Sequence, residues 1–112
     1  MRAETIHPYV NHQTYHVFFT KLANPLKMGI VLCLRNKGMS VSEITHELQV
    51  EQSKISHALA SLKNCNIVEV EQKGKLRIYS LNKSTIIPML KLIDQHARTH
   101  CKGKCKECGM RG

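Results

Sequence analysis

Hydrophobic residues recur along the chain at helical intervals in some stretches and alternate with polar residues in others. Ile55, Leu59 and Leu62 share one helical stripe, and polar side chains fill the positions between them. This pattern predicts an amphipathic helix that runs to about Cys65. Asn66 can adopt the left-handed backbone that ends such a helix.

Strict alternation appears further along, in the stretches IVEVEQ and KLRIYSL. A period of two is typical of strands, and Lys73 and Gly74 between the stretches supply a turn. The sequence therefore predicts a two-stranded β-hairpin.

An earlier stretch, LKMGIVLCLRNK, is apolar almost all round and predicts a buried central helix. Asn24 and Pro25 fit its N-cap and first helical position, and Gly38 is expected to end it. The following residues Ser40 to Glu43 form a capping-box pattern, which predicts a short helix through Leu48.

The last periodic stretch, TIIPMLKLIDQHARTHC, carries a hydrophobic stripe and predicts a helix from about Ser84 to Cys101. Pro88 is compatible with a helix only near its first turn. The predicted fold is mainly α with a two-stranded β-wing, in the order helix, helix, helix-turn-helix, wing, helix. The final helix is too short to bury its own stripe. Its side chains Ile86, Met89, Leu90 and Ile93 are therefore expected to pack against the same helix of a partner subunit or against the first helix.

Composition narrows the range of functions. The chain has 112 residues, enough for one domain with a modest core that a dimer interface would help to stabilise. Seventeen lysines and arginines against eight acidic residues leave a net charge of +9. Such an excess favours a polyanionic partner, most commonly nucleic acid.

Other function classes find little support in the sequence. The stretch MRAETIHPYVNHQ lacks the apolar run of a signal peptide, and no run reaches membrane-spanning length, so we expect a cytoplasmic protein without a membrane partner. In the cytoplasm, five cysteines are typical of free thiols, of metal ligands or of a redox switch. No catalytic constellation is evident, which favours a non-enzyme.

The short helix and the amphipathic helix, joined by QVEQ, form the arrangement in which the second helix enters the major groove of DNA. Short or hydrogen-bonding side chains on that helix can reach bases or phosphates: Gln52, Ser53, Lys54, Ser56, His57 and Ser61. On the hairpin, Lys73, Lys75 and Arg77 can contact the DNA backbone. An ordinary helical hairpin with a solvated polar face is the alternative.

The stretch from Phe18 to Leu81 resembles the ArsR-type winged-helix repressors. The similarity rests on a Leu-Ala-x-Pro helix start, S-V-x-E-I, S-x-x-S-H-x-L-x-x-L and a closing Arg-x-Tyr-x-Leu. In this chain Asn66 replaces the family's usual glycine, and the histidine comes directly after Ser56 rather than one residue later. The resemblance implies a homodimer built by the first and last helices, which binds an inverted-repeat operator and is released by an inducer.

Two of the family's metal sites are not expected here. The third-helix stretch SVSEITHELQ lacks the cysteine pair that receives arsenite or cadmium in some members. The second site is a zinc site that some family members carry in their last helices. By the resemblance, the positions of its first two ligands are occupied in this chain by Lys83 and Thr85. Only His96 remains at the third position.

Cysteine positions point to a different sensor. Cys33 matches a position at which a redox and reactive-sulfur-sensing subgroup of the family carries a reactive cysteine, and the resemblance makes Cys101 its partner. The basic neighbours Arg98, Lys102 and Lys104 would favour a thiolate at Cys101. Cys33 is alternatively a small core residue.

The end of the chain, HCKGKCKECGMRG, offers a second chemistry. His100, Cys101, Cys105 and Cys108 have the spacing and softness to bind zinc or arsenite. An incidental basic extension is the alternative.

Together these features predict a winged-helix and dimerisation domain over residues 1–101 and a cysteine-containing tail over 102–112. The favoured function is a dimeric repressor, released from its operator by thiol oxidation, reactive sulfur, or a thiophilic metal or metalloid. The competing hypothesis is a non-sensing basic nucleic-acid-binding module with a zinc-binding tail.

Overall fold

The computed structural model describes residues 11–101, of which Cys101 is described by its backbone alone. The chain divides into two compact units, one ending at Leu81 and the other beginning at Asn82. The first contains α1 (His12–Leu22), α2 (Pro25–Cys33), α3 (Val41–Leu48), α4 (Gln52–Asn64), β1 (Val68–Lys73) and β2 (Leu76–Leu81). The second contains α5 (Ile86–His96), followed by a π-helical turn over Ala97–Cys101. None of the helices within residues 11–101 has the length and apolar character needed to span a membrane.

Local capping sets the start of α2 and α3, as the sequence predicts. The Asn24 side chain accepts a hydrogen bond from the backbone N–H of Lys27 at 2.9 Å, with Pro25 at the first helical position. At α3 the Ser40 and Glu43 side chains each accept a backbone N–H of the other residue, at 3.2 and 2.9 Å. Each pair satisfies donors that the first helical turn would otherwise leave unpaired.

The predicted end of α2 at Gly38 is wrong, because the helix stops at Cys33. After the helix the chain extends so that Met39 pairs with Tyr79 of β2. The backbone N–H of each residue donates to the carbonyl of the other, at 2.9 and 2.8 Å. The chain bends over residues 35–37 between the end of α2 and this pair, and periodicity within α2 carries no information about such a long-range contact.

The core of the first unit is formed by the facing stripes of α2, α3 and α4. Its most deeply buried side chains are Ile30, Val31, Leu34, Ile44, Ile55, Leu59, Leu62, Ile67, Val68 and Leu81. Leu32 on the outer side of α2 is exposed, so this helix is less completely buried than its composition predicts. The predicted stripe on α4 is confirmed.

The end of α4 follows the prediction made for Asn66. This residue has a φ of 57°, in the left-handed region. The N–H of Asn66 donates to the carbonyl of Lys63 at 2.9 Å, and the N–H of Ile67 donates to that of Leu62 at 3.0 Å. This hydrogen-bond pair turns the chain sharply from the helix into β1.

The hairpin pairs β1 and β2 in antiparallel register, from Val68 opposite Leu81 to Lys73 opposite Leu76. The strands are those predicted, but the turn residues are Gly74 and Lys75, one position later than expected. Gly74 has a φ of 64°, which a two-residue hairpin turn requires and which glycine adopts without strain.

In the second unit, Pro88 lies in the first turn of α5, as predicted. The predicted stripe is divided between buried and exposed side chains, and the surface against which it packs stays a prediction. Leu90 is only 6% exposed within one chain, and Ile86 is also buried, whereas Ile93 is 53% exposed and Leu92 is exposed beside it. The apolar surface that α5 leaves for another molecule therefore centres on Leu92 and Ile93.

The close approach of the α2–α3 loop to β2 can be tested at Gly38. A Cβ at this position would lie 2.7 Å from Cγ2 of Ile78 and 3.1 Å from the carbonyl oxygen of Tyr79. We expect Gly38→Ala to lower the free energy of unfolding by about 1 to 3 kcal/mol, measured by urea denaturation, because the backbone must shift.

Gly29→Ala is the matched control, since its Cβ would be 3.7 Å from Leu48, an ordinary contact. Because alanine favours a helix interior over glycine by about 1 kcal/mol, this variant should be neutral or stabilised. Equal effects of the two substitutions would contradict the proposed crowding at Gly38.

Candidate nucleic-acid interface

The exposed face of α4 carries the side chains predicted to contact nucleic acid. Gln52, Ser53, Lys54, Ser56 and His57 are all exposed within the first two turns of the helix, and Ser61 is half-buried further along. Ile55, Ala58, Leu59 and Leu62 on the opposite side are buried. Packing of the apolar stripe thus fixes α4 within the fold, and the polar amino-terminal half of the helix faces solvent.

The amino end of α4 is unusually open. Glu51 is the N-cap residue, but its side chain makes no capping hydrogen bond. Its Oε1 instead accepts a hydrogen bond from the Ser53 hydroxyl at 3.0 Å. Within residues 11–101 the backbone N–H groups of Gln52 and Ser53 have no partner. Donors of this kind at a helix amino end can bind an anionic group.

Glu51 belongs to this surface although the sequence pattern did not predict it. Its carboxylate lies at the amino end of the polar face, where it would repel nearby phosphates and could accept a hydrogen bond from a cytosine amino group. The sequence feature that could have identified Glu51 is its position directly before the first residue of the helix.

The hairpin presents its three cations in different directions. Lys73, Lys75 and Arg77 are exposed, as predicted. Lys73 pairs with Leu76 and Arg77 pairs with Gln72, and successive cross-strand pairs lie on opposite faces. Lys75 lies in the turn. These cations therefore surround the hairpin tip and form no single stripe; Lys73 also lies 3.9 Å from the Glu71 carboxylate, a weak exposed pair.

A groove of about 470 Å³ lies between the start of α2 and the first half of α4. Its lining combines an apolar floor with polar and basic side chains, contributed by Asn24, Leu26, Lys27, Ser53, Lys54, His57 and Ala58. None of the lining side chains that the described part of the chain contributes is a carboxylate. Of these residues, only Ser53, Lys54 and His57 were predicted from the sequence to contact nucleic acid.

The predicted sensing residues are described only in part. Cys33 is half-buried and forms no disulfide with another described side chain. Burial raises the pKa of its thiol, and the nearby Glu47 carboxylate raises it further, so the neutral thiol is favoured at neutral pH. Only the backbone of Cys101 is described, and Cys105 and Cys108 lie outside the described residues. The predicted Cys33–Cys101 pair therefore stays a prediction.

Metal ligation by the tail also stays a prediction. The rings of His96 and His100 lie with their centroids 4.8 Å apart, on the same side of the helical backbone. Among the side chains of residues 11–100, no three histidine, cysteine or acidic groups come together as a metal site would require.

Comparison with known proteins identifies the family. The model of the bacterial regulatory protein family arsR matches residues 24–70. The arsenical resistance operon repressor of Bacillus subtilis is 33% identical over 78 residues, which cover 68% of this chain and 73% of the repressor. The chain belongs to the ArsR family. A second relative, the regulator NmtR of Mycobacterium tuberculosis, is 32% identical over 69 residues, 62% of this chain and 58% of the length of NmtR.

Solved structures show the same fold. Rv0081 of Mycobacterium tuberculosis superposes with a TM-score of 0.75 at 23% identity, covering 88% of this chain and 98% of that protein. A second structure is the homodimeric winged helix-turn-helix domain of Mb0332 from Mycobacterium bovis. It superposes with a TM-score of 0.69 at 18% identity, covering 86% of this chain and 94% of that domain. The expected winged helix-turn-helix architecture is confirmed.

Proposed function

We propose that this ArsR-family protein is a homodimeric transcriptional repressor that binds an inverted-repeat DNA operator through α4. The observation that carries the proposal is the polar amino-terminal half of α4, exposed while the apolar stripe of the same helix is fully buried. The family includes the arsenical resistance operon repressor, whose name records repression.

Duplex DNA fits this surface better than other polyanions. An α-helix with its side chains is about 10–12 Å across, close to the width of about 12 Å of the major groove. The exposed side chains of α4 mix hydroxyl, amide, imidazole and amine groups, which can read base edges as well as bind phosphates. The cations at the hairpin tip would contact the adjacent backbone, and the net charge of +9 supports attraction to the duplex.

Exposed apolar side chains support a dimer. On α1, Tyr15 and Phe19 are each 58% exposed and lie four positions apart, on one face of the helix. On α5, Leu92 and Ile93 are exposed as well. Large apolar side chains grouped on a helix surface are typical of an interface, and Mb0332, with the same fold, is a homodimer.

The DNA-binding proposal is tested by truncating side chains on the two surfaces. Lys54→Ala or Ser56→Ala should weaken operator binding by about 1 to 3 kcal/mol if the residue contacts a base, and should relax specificity at that base. Lys73→Ala should instead lower affinity for all duplexes and reduce the salt dependence of binding. Fluorescence anisotropy with operator-like and scrambled duplexes measures both effects.

Lys63→Ala, at the carboxyl end of α4, is the control and should leave operator affinity nearly unchanged. If Ser53, Lys54, Ser56 and His57 can all be replaced without loss of operator affinity, α4 is not the recognition helix. Equal binding of the wild type to both duplexes would favour the competing function, a non-sensing basic nucleic-acid-binding module.

The dimer proposal is tested by placing a charge at an exposed and at a buried position of α5. Ile93→Asp should give a folded monomer, because the exposed side chain is available to a partner subunit. Leu90→Asp should instead unfold the chain, because a buried unpaired carboxylate is strongly unfavourable. Sedimentation at micromolar concentration and circular dichroism separate the two outcomes, and a dimer that survives Ile93→Asp would place the interface elsewhere.

We also propose that thiol chemistry involving Cys101 releases the protein from DNA. In a redox route an oxidant links Cys33 to Cys101; in a metal route Cys101, Cys105 and Cys108, with His100, bind zinc or arsenite. The raised pKa of Cys33 makes Cys101, with its basic neighbours, the better candidate for the attacking thiolate in the redox route.

Two variants distinguish these routes. Cys33→Ser should abolish release under the redox route and leave it intact under the metal route, whereas truncation after Lys104 should do the reverse. Release of a labelled operator is followed after addition of a thiol oxidant, zinc or arsenite. If both variants respond like the wild type, neither route operates and the tail is an incidental extension.

A further inference from the structure

The groove between α2 and α4 has the chemistry of a phosphate-binding surface. Lys27, Lys54 and His57 contribute groups that are or can become cationic, and Ser53 contributes a hydroxyl. No ion pair joins Lys27 or Lys54 to a carboxylate within residues 11–101. The amino end of α2 forms one wall, so its helix dipole adds to the positive potential.

The shape of the groove suits a polymer strand. Along α4 its lining extends from Ser53 to Ala58, more than one helical turn and about 7 Å along the axis at 1.5 Å per residue. Leu26 and Ala58 supply an apolar floor between the polar groups. A sugar-phosphate backbone combines anionic phosphates with less polar sugars, and the lining offers both basic and apolar side chains.

The position of the groove connects it to the DNA-reading helix. A helix of about 10–12 Å nearly fills a major groove of about 12 Å, so the two phosphate strands must pass directly beside it. Ser53, Lys54 and His57 belong both to the exposed face of α4 and to the groove lining. A strand beside α4 on this side would therefore meet Lys27 of α2.

We propose that this groove seats one phosphodiester of the operator strand, bound by Lys27 together with Lys54, and that α2 is a second DNA-contacting helix outside the helix-turn-helix. The inference rests on the proposed DNA-binding function. Lys27 positions the duplex and carries no sequence information, because a lysine on a phosphate binds every sequence alike.

The first test is Lys27→Gln, with Lys63→Gln as the control that removes one charge at the far end of α4. For Lys27→Gln we expect weaker binding to operator and scrambled duplexes alike, and a loss of about 0.9 from the slope of log affinity against log salt. Lys63→Gln should keep the wild-type slope. Thermal melting followed by circular dichroism checks that both variants fold like the wild type.

The second test replaces single operator phosphates with uncharged methylphosphonates. Wild-type protein should lose affinity at one or two phosphates beside α4, and Lys27→Gln should lose no further affinity there. If Lys27→Gln keeps the wild-type slope and methylphosphonate profile while the wild type still selects its operator, the groove proposal is wrong and the DNA-binding function stands. If the wild type selects no operator at all, the proposed function itself fails.

A titration with inorganic phosphate, followed by amide chemical shifts, distinguishes a free anion from the DNA backbone. Saturable shifts at Lys27 and His57, combined with an unchanged salt slope in Lys27→Gln, would overturn the proposal in favour of a small-anion site. A reduced slope without saturable phosphate binding supports a backbone contact.

Discussion

The two backbone hydrogen bonds between Met39 and Tyr79 are the constraint on which the DNA-binding unit depends. They attach β2 to the loop that precedes α3, and the loop fits only because Gly38 has no side chain to meet Ile78. One contact therefore stops α2 early and holds the hairpin beside the helix-turn-helix. The spacing between the recognition helix and the hairpin tip follows from this attachment, since a hairpin alone is only marginally stable.

α4 combines a structural role with the proposed recognition role, on opposite sides of one helix. Its buried stripe leaves Ile55 and Leu62 without solvent contact, so the orientation of its polar face is set by packing. The open amino end, with Glu51 hydrogen-bonded to Ser53 rather than to the backbone, leaves donors available to an anion. In the proposed complex, the negative charge of the Glu51 carboxylate beside these donors would oppose indiscriminate phosphate binding, and such repulsion is a common source of specificity.

The proposed functions place different demands on the two compact units. The first unit contains the DNA-reading face, the hairpin tip and the groove, and all of them are accessible in a single chain. The second contains the exposed pair Leu92 and Ile93, and the sensing hypotheses need Cys101, the last residue that the structure describes. Burial and Glu47 raise the pKa of Cys33. A thiol switch would thus depend on the more basic surroundings of the chain's end for its reactive thiolate.

Local chemistry in the sequence determined the starts of α2 and α3, the left-handed turn at Asn66, the two strands of the hairpin and the buried stripe of α4. Each depends on residues a few positions apart, and the Ser40–Glu43 capping box shows how short that range is. Only the tertiary structure decided where α2 ends, that Leu90 is buried within one chain, and that Lys27 lies across a groove from His57. These features depend on residues distant in sequence that compete for the same space, and periodicity along a single segment carries no information about that competition.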